Sequence, residues 1–251
     1  MRWMLLLLLF VSATARADTP AHITAFLEGR YVEAAELAQA ETTPDRLAFA
    51  ARSFLAEAMS ADVYIPSAER IDTAEQLAKR ALDIEPAHIE GRLQLAIALS
   101  LRARALSSRE AMRGGFGETT RDLAESVLRD DPSNVYAHGF LAVWHLEVRR
   151  RGGTIGASIM GASVKKARRH YQLAIADAPD DASLHWQYAR ALAALNAKKH
   201  RKEIESGLDA AIACAIDSHL ERAMQARAGY LLSELRTQKR AEVEALAARM
   251  L

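Results

Sequence analysis

The 251-residue sequence has one cysteine, Cys214, and few features of a catalytic or membrane protein. A single thiol excludes an intramolecular disulfide, and its apolar surroundings favour burial over pairing with a second chain. Beyond the first residues, no apolar run approaches the ~20 residues that a membrane-spanning helix needs. Aromatic residues make up 6% of the chain, and its 33 basic and 32 acidic residues nearly cancel. This balance argues against a general nucleic-acid binder, which carries a basic excess.

Residues 1–17 have the pattern of an export signal. Arg2 supplies a positive charge, Leu5 to Val11 form a short apolar core, and residues 15–17 are a small-x-small cleavage pattern. The apolar core is too short to span a bilayer. Cleavage after Ala17 removes two arginines and leaves 31 basic against 32 acidic residues. The pattern predicts a periplasmic or secreted protein.

A pattern of small and apolar residues recurs four times and ends at proline or at a residue in its place. The copies are Ala74, Ala78, Ala81, Leu82 and Pro86; Thr120, Ala124, Val127, Leu128 and Pro132; Ala167, Tyr171, Ala174, Ile175 and Pro179; and Ile204, Leu208, Ala211, Ile212 and Ile216. The apolar residues share one helix face, and the small ones let two helices approach closely. Proline then ends the helix, because it has no backbone N–H to donate. A small residue returns ten positions after each end, at Ala96, Ala142, Ala189 and Ala226. The pattern predicts stacked helix pairs.

On these residues the chain resembles the tetratricopeptide repeat family. The segment GRYVEAAELA adds to the resemblance, since Gly29 and Tyr31 match the family's inter-helix turn and second-helix start. The resemblance implies an all-α fold, a right-handed superhelical stack of antiparallel helix pairs with extended inter-helix loops. We expect units at about 20–46, 47–86, 87–132, 133–179 and 180–216, a capping helix at 217–236 and a helical tail at 237–251.

The units are longer than the family's repeat of about 34 residues. The closing prolines lie 46 and 47 residues apart, and the extra length falls in MRGGFGETT and RRRGGTIGASIMGAS. Either two first helices are long, or the loops that follow them are large. The second segment has no charge from Gly152 to Val164, so we expect it to dock in the groove, on a neighbouring subunit or on its own helices. Its candidates for ligand or subunit contact are Gly152, Gly153, Gly156, Met160 and Gly161.

The motifs of catalytic, nucleotide and metal sites are missing. Gly156 to Gly161 has the spacing of a phosphate-binding loop, but Ala162 stands where that motif requires lysine. Four of the eight histidines fall in adjoining units without a metal-binding spacing, and we interpret them as packed or surface residues: His138, His145, His170 and His185. The sequence shows no arrangement that pairs a nucleophile with a base. We expect no catalytic residue, no metal and no cofactor, and thus no enzyme.

Aromatic residues concentrate on first helices, which line the inner surface of a tetratricopeptide solenoid. The family register places these residues there: Tyr136, Gly139, Val143, Leu146, Ser183, Trp186 and Arg190. Aromatics at helical spacing are also typical of a core. We expect a scaffold or adapter that binds a protein or peptide partner on this concave surface. The alternative is an oligomeric, small-ligand-binding accessory component of a periplasmic solute transport system, in which GGTIGASIMGAS roofs an apolar cavity or a subunit interface.

Overall fold

The computed structural model describes residues 19–61 and 67–251, so the expected export signal lies outside the described residues. These ranges form thirteen helices and no strand. The helices are α1 (Ala21–Leu27), α2 (Tyr31–Ala38), α3 (Pro44–Ser60), α4 (Ala68–Ile84), α5 (Ile89–Arg104), α6 (Ser108–Arg113), α7 (Phe116–Asp130), α8 (Val135–Ile159), α9 (Val164–Asp177), α10 (Ala182–Asn196), α11 (Arg201–Ala213), α12 (His219–Thr237) and α13 (Arg240–Arg249). None of these helices combines the length and apolar character needed to cross a membrane.

The helices form a right-handed superhelical stack of antiparallel pairs. The pairs are α1–α2, α3–α4, α5–α7, α8–α9 and α10–α11. The first helices α3, α5, α8, α10 and α12 each contact the next along the stack, which places them on a common side. In addition, α12 contacts α1 and α3, so the end of the stack returns to its beginning.

Side-chain caps fix where several helices begin. Thr43 accepts a hydrogen bond from the backbone N–H of Arg46, directly before a proline at the first position of α3. Asn134 caps α8, and Asp181 accepts from two backbone N–H groups at the start of α10. Each cap satisfies donors that a helix leaves unpaired at its N-terminus.

The repeated small residues are core contacts, as predicted. Ala74, Ala124, Ala167 and Ala211 are completely buried, and so are six other residues of the four copies: Ala78, Ala81, Val127, Ala174, Ile204 and Leu208. Alanine at these positions lets neighbouring helices pack without a void. The last copy departs from the pattern, because Ala226 is exposed and Ala228 is buried instead. The expected register is therefore wrong by two residues in α12.

The two inserted segments are largely helical rather than extended loops. The first contains the end of α6, a turn at Gly115, where φ is 66°, and the start of α7. The second continues α8 to Ile159, with a kink at Gly153 where φ is 61° and ψ is −157°. Glycine adopts this positive φ without a side-chain clash. For α8, the long first helix is the correct alternative.

Cys214 is buried, as the sequence favours. Its exposed fraction is 8%, and its Sγ lies 3.2 Å from the backbone oxygen of Ala210. Burial, followed by nearby Asp180 and Asp181, raises the pKa of the thiol. The thiol is therefore a poor nucleophile at neutral pH.

Candidate partner-binding surface

The inner surface of the stack is occupied by the last helix of the chain. α13 packs mainly on α10 and also on α12. Val243, Ala247 and Met250 belong to the same apolar cluster as Trp186, whereas Leu251 packs in the cluster of the N-terminal helices. The four tail residues are at most 3% exposed. The tail therefore joins the apolar cores of the two halves of the stack.

Two arginines of the stack bind the backbone of this tail. Arg104, at the end of α5, donates from Nη2 to the backbone oxygens of Ala248 and Met250, each at 2.9 Å. Arg190, on α10, donates from Nη1 to the oxygen of Ala247 at 3.2 Å. The last carbonyls of a helix have no partner within it, and they carry the negative end of its dipole. Arg104 and Arg190 therefore supply hydrogen-bond partners for these carbonyls and place positive charge at the negative end of α13.

The last residue of the tail is held in the same way. Trp186 Nε1 donates to the backbone oxygen of Leu251 at 2.9 Å, and Arg227 Nη1 donates to that oxygen at 3.0 Å. Arg227 also donates to the backbone oxygens of Met59 and Ala61 at the end of α3. It therefore fastens both the tail and the start of the stack to α12. We call Arg104, Trp186, Arg190 and Arg227 the backbone clamp.

The carboxylate of Glu147 lies beside three guanidinium groups behind the tail. Glu147 Oε2 lies 2.7 Å from Arg150 Nη2, and its Oε1 lies 3.4 Å from Arg190 Nη1 and 4.0 Å from Arg104 Nη1. Burial alone raises the pKa of Glu147, but the three guanidinium groups hold it below its usual value. Burial, followed by the neighbouring Arg190, lowers the pKa of Arg104 to about 10. Glu147 and Arg104 are therefore both charged at neutral pH.

Three histidines meet between α8 and α9. His138 Nδ1 lies 2.9 Å from His170 Nδ1, and His138 Nε2 lies 3.1 Å from the backbone oxygen of Pro132. A carbonyl only accepts, so Nε2 of His138 carries the hydrogen and its Nδ1 accepts from His170. Burial and neighbouring positive groups lower the pKa values of His145 and His170 to about 4. The imidazoles of His145 and His170 are therefore neutral at pH 7. Across the described ranges, no three candidate ligands gather in a way that suits a metal ion.

Comparison with solved structures supports the architecture. The crystal structure of a thermophilic TPR (tetratricopeptide repeat) protein from Thermus thermophilus matches this chain with a TM-score of 0.58 and 18% sequence identity, over 83% of this chain and 95% of that one. The fold is a tetratricopeptide-like α-solenoid. No protein-family model matches the sequence, and no curated protein matches it significantly. A likeness at this identity shows the fold alone, because one fold carries many functions.

Two of the seven residues predicted on the inner surface of the solenoid contact the tail. Trp186 and Arg190 are 0% and 2% exposed because α13 covers them. Leu146 is completely buried in the same cluster as Trp186. Gly139 lies between α8 and α10, where a Cβ would overlap Leu184. Glycine at this position therefore allows the two first helices to pack closely.

The other three are not fully buried, although Val143 packs against the apolar cluster that contains Trp186. Val143 and Ser183 are partly exposed, and Tyr136 is 57% exposed. Tyr136 is within electrostatic range of Arg52 and Glu90, which line a shallow cleft of about 300 Å³. Contact of these residues with a partner stays a prediction.

The predicted ligand or subunit segment forms the far end of α8. Its candidates are Gly152, Gly153, Gly156, Met160 and Gly161. A Cβ at Gly153 or Gly156 would meet nothing within 4 Å, and Ile155 and Ile159 are 77% and 78% exposed. Met160 packs near Gly117 at the start of α7. Ala157 and Ala162 of the segment are buried in one apolar cluster with Trp144, so part of the segment packs on its own helices, as one of the expected alternatives had it. Contact with a ligand or a second subunit stays a prediction.

Sequence reasoning did not anticipate the backbone clamp beyond Trp186 and Arg190. No motif marks Arg104 or Arg227 within its helix. Both bind the main chain of the tail, which lies far away in the sequence. The sequence did indicate an apolar helix face in the tail, because Val243, Ala247 and Met250 have helical spacing.

Proposed function

We propose that this protein is a non-enzymatic scaffold that binds a helical segment of a protein partner on the inner surface of the solenoid. The observation that carries the proposal is the backbone clamp, which binds the main-chain oxygens of residues 247–251. Every helix presents such oxygens at its C-terminal end, whatever its sequence. A partner helix can therefore take the place of α13 when its apolar face fits the same surface.

The size of α13 supports this exchange. The helix has ten residues and follows α12 after a connection of two residues. Isolated helices shorter than ~12–15 residues are marginal in water, so α13 depends on its docking site. Its covalent connection keeps it near that site at an effective concentration of the order of millimolar. A partner competes when it buries more apolar surface than the tail does.

The cleft beside Tyr136 extends the surface that a longer partner would cover. Phe49, Arg52 and Glu90 line this cleft, and Tyr136 is within electrostatic range of Arg52 and Glu90. This group combines an exposed aromatic ring with paired charges, a composition that is common in protein interfaces. It supports binding of a protein rather than of a tail-sized peptide alone.

The chemistry of the clamp supports binding rather than catalysis. Even with a pKa of about 10, Arg104 remains a cation at neutral pH and does not act as a base. The guanidinium and indole N–H groups are already directed at carbonyl oxygens. We therefore propose a binding role without a reaction.

A charge placed on the buried face of α13 tests the proposal. Ala247 is completely buried, whereas Ala245 is exposed on the same helix. Ala247→Asp should release the tail, and Ala245→Asp is the matched control with the same added charge. A labelled peptide of residues 239–251 should bind the Ala247→Asp protein and neither the Ala245→Asp nor the unchanged protein.

Two controls make the result decisive. The same peptide carrying Ala247→Asp should not bind, and circular dichroism should show that the variant protein keeps its helices. The proposal fails if hydrogen exchange shows a released tail in a folded protein that still does not bind the peptide.

Export is a separate proposal, supported by the pattern in residues 1–17. Expression of the full sequence in a bacterial host should give a protein in the exported fraction whose first residue is Asp18. N-terminal sequencing reads this directly. A product that keeps residues 1–17 in the cytoplasm would contradict it.

A further inference from the structure

A second concave site lies beside the tail. A cleft of about 480 Å³ opens between α4, α5, α8 and α13. Ile71 and Leu101 give it an apolar wall, and five arginines also line it: Arg102, Arg104, Arg150, Arg151 and Arg249. Asp72 is the one acidic residue among its described lining residues. Sites for small molecules commonly have such a volume and combine apolar walls with a few polar groups.

Three of these arginines have carboxylate partners. Arg102 forms ion pairs with Asp72 and, at 2.9 Å, with Glu75. Arg104 and Arg150 share the carboxylate of Glu147. Their charges are therefore at least partly balanced within the protein.

Neither of the other two arginines forms an ion pair with a carboxylate in the described part of the chain, although Glu147 is within electrostatic range of Arg151. Arg151 donates from Nη1 to the backbone oxygen of Ala103 at 2.8 Å and from Nη2 to that of Leu106 at 2.6 Å. Burial, followed by the neighbouring Arg150, lowers the pKa of Arg151. Arg249 is exposed and lines the cleft from α13. The cleft thus holds more positive charge than the protein compensates.

Uncompensated positive charge in a partly enclosed site favours an anionic ligand. Oxyanions form strong, charge-assisted hydrogen bonds with guanidinium groups, and partial burial strengthens the attraction. The apolar wall at Ile71 and Leu101 lies within the same cleft and suits a short hydrocarbon chain.

We propose that this cleft binds a small organic anion, with an oxyanion headgroup at Arg151 and Arg249 and a short apolar body against Ile71 and Leu101. This site is distinct from the clamp that binds a partner helix. The two are linked, because Arg249 belongs to the tail and Arg104 contacts both the cleft and the tail backbone. The ligand therefore binds best when α13 is in place and stabilises that state.

Calorimetric titration of the full chain tests the site with three probes of equal chain length: hexanoate, hexyl phosphate and hexan-1-ol. At least one anion should bind saturably with a stoichiometry of one, and hexan-1-ol should not bind. The anion that binds more tightly identifies the headgroup as carboxylate or phosphate. The bound anion should also slow hydrogen exchange in residues 240–251.

A matched pair of variants separates this site from general charge attraction. Arg249→Gln should weaken anion binding about tenfold, since it removes one charge-assisted contact. Arg236→Gln removes the same charge from an exposed position on α12 outside the cleft and should leave binding unchanged. Equal effects of the two variants, equal binding of hexan-1-ol, or no saturable binding of either anion would overturn the proposal. None of these results changes peptide binding to the Ala247→Asp protein, so failure here is distinguishable from failure of the scaffold proposal.

Discussion

Trp186 and Leu251 are 65 positions apart in the sequence, yet the indole Nε1 donates to the backbone oxygen of Leu251 at 2.9 Å. Trp186 is completely buried in the C-terminal apolar cluster, whereas Leu251 packs in the N-terminal one. Their hydrogen bond lies where the two halves of the solenoid meet. The end of the chain therefore acts as a structural link across the inner surface.

Trp186→Phe should weaken this link. The substitution removes the donor and leaves a smaller ring, while Arg227 still donates to the same oxygen. We expect the free energy of unfolding to fall by about 2 kcal/mol, from the lost buried hydrogen bond and imperfect packing. Urea denaturation measures the change. Tyr136→Phe, at an exposed aromatic residue, should stay within about 0.5 kcal/mol, and similar losses in both variants would contradict this role.

Glu147→Gln should lower the stability strongly, although glutamine has nearly the same shape as glutamate. It removes the carboxylate that faces Arg104, Arg150 and Arg190 in a largely enclosed site. Loss of one partner from a buried ion cluster costs about 3–5 kcal/mol, because the remaining charges stay buried. Thermal and urea denaturation read the loss. Glu36→Gln at an exposed site is the control and should change stability by less than about 0.5 kcal/mol.

Alanine substitutions at two glycines should change the stability of the protein in opposite directions. Gly29 has a φ of 83°, and a Cβ there would lie 2.5 Å from His219 Cγ. Gly29→Ala should therefore destabilise the protein by more than about 1 kcal/mol and loosen the contact between α1 and α12. Gly229 lies within α12 with open space around its Cβ position, so Gly229→Ala should stabilise by up to about 1 kcal/mol. A stabilising Gly29→Ala variant would show that the two ends of the stack do not meet as described.

The free energy of unfolding should fall as the pH decreases from about 6.5 to about 4, because His145 and His170 are buried in their neutral form. Their pKa values are about 4 in the folded protein, against the ordinary histidine value of 6.5 that applies to the unfolded chain. The unfolded chain therefore binds more protons between these values, so stability is complete above pH 6.5 and declines progressively towards pH 4. One pKa unit corresponds to about 1.4 kcal/mol for each group. Urea denaturation of the unchanged protein and of a His170→Gln variant between pH 7.5 and 4.5 measures the effect, and an equal slope in both would contradict the assignment to this cluster.

The core residues of the repeats were predictable because their contacts form within and between neighbouring helix pairs. Helix pairs bury the same small residues in each unit, so Ala74, Ala124 and Ala167 show their role through spacing alone. A further regularity was also present in the sequence. Arg92, His138 and His185 each come six residues after a closing proline, and each hydrogen-bonds to a backbone oxygen of the closing turn. Alignment of the units on their prolines would have indicated a structural role for these two histidines.

The occupied inner surface was not predictable in the same way. Val243, Ala247 and Met250 reveal an apolar face, but its docking site depends on how far the superhelix curves back on itself. That curvature is the sum of many small angles between units, and sequence spacing does not determine it. At the glycine-rich end of α8 the sequence left a long helix and a large loop as alternatives, for another reason. Gly152, Gly153 and Gly156 indicate a loop by composition, whereas a single positive φ at Gly153 suffices to redirect a helix that otherwise continues.

Hydrogen exchange of α13 in the full, unmodified chain tests the central claim most directly. If the clamp holds residues 247–251 on the inner surface, the backbone amides of α13 should exchange much more slowly than those of a short helix in water, and Ala247→Asp should remove this protection while Ala245→Asp preserves it. Exchange of the α13 amides within seconds in the unmodified protein would show that the inner surface is not occupied and would contradict the account.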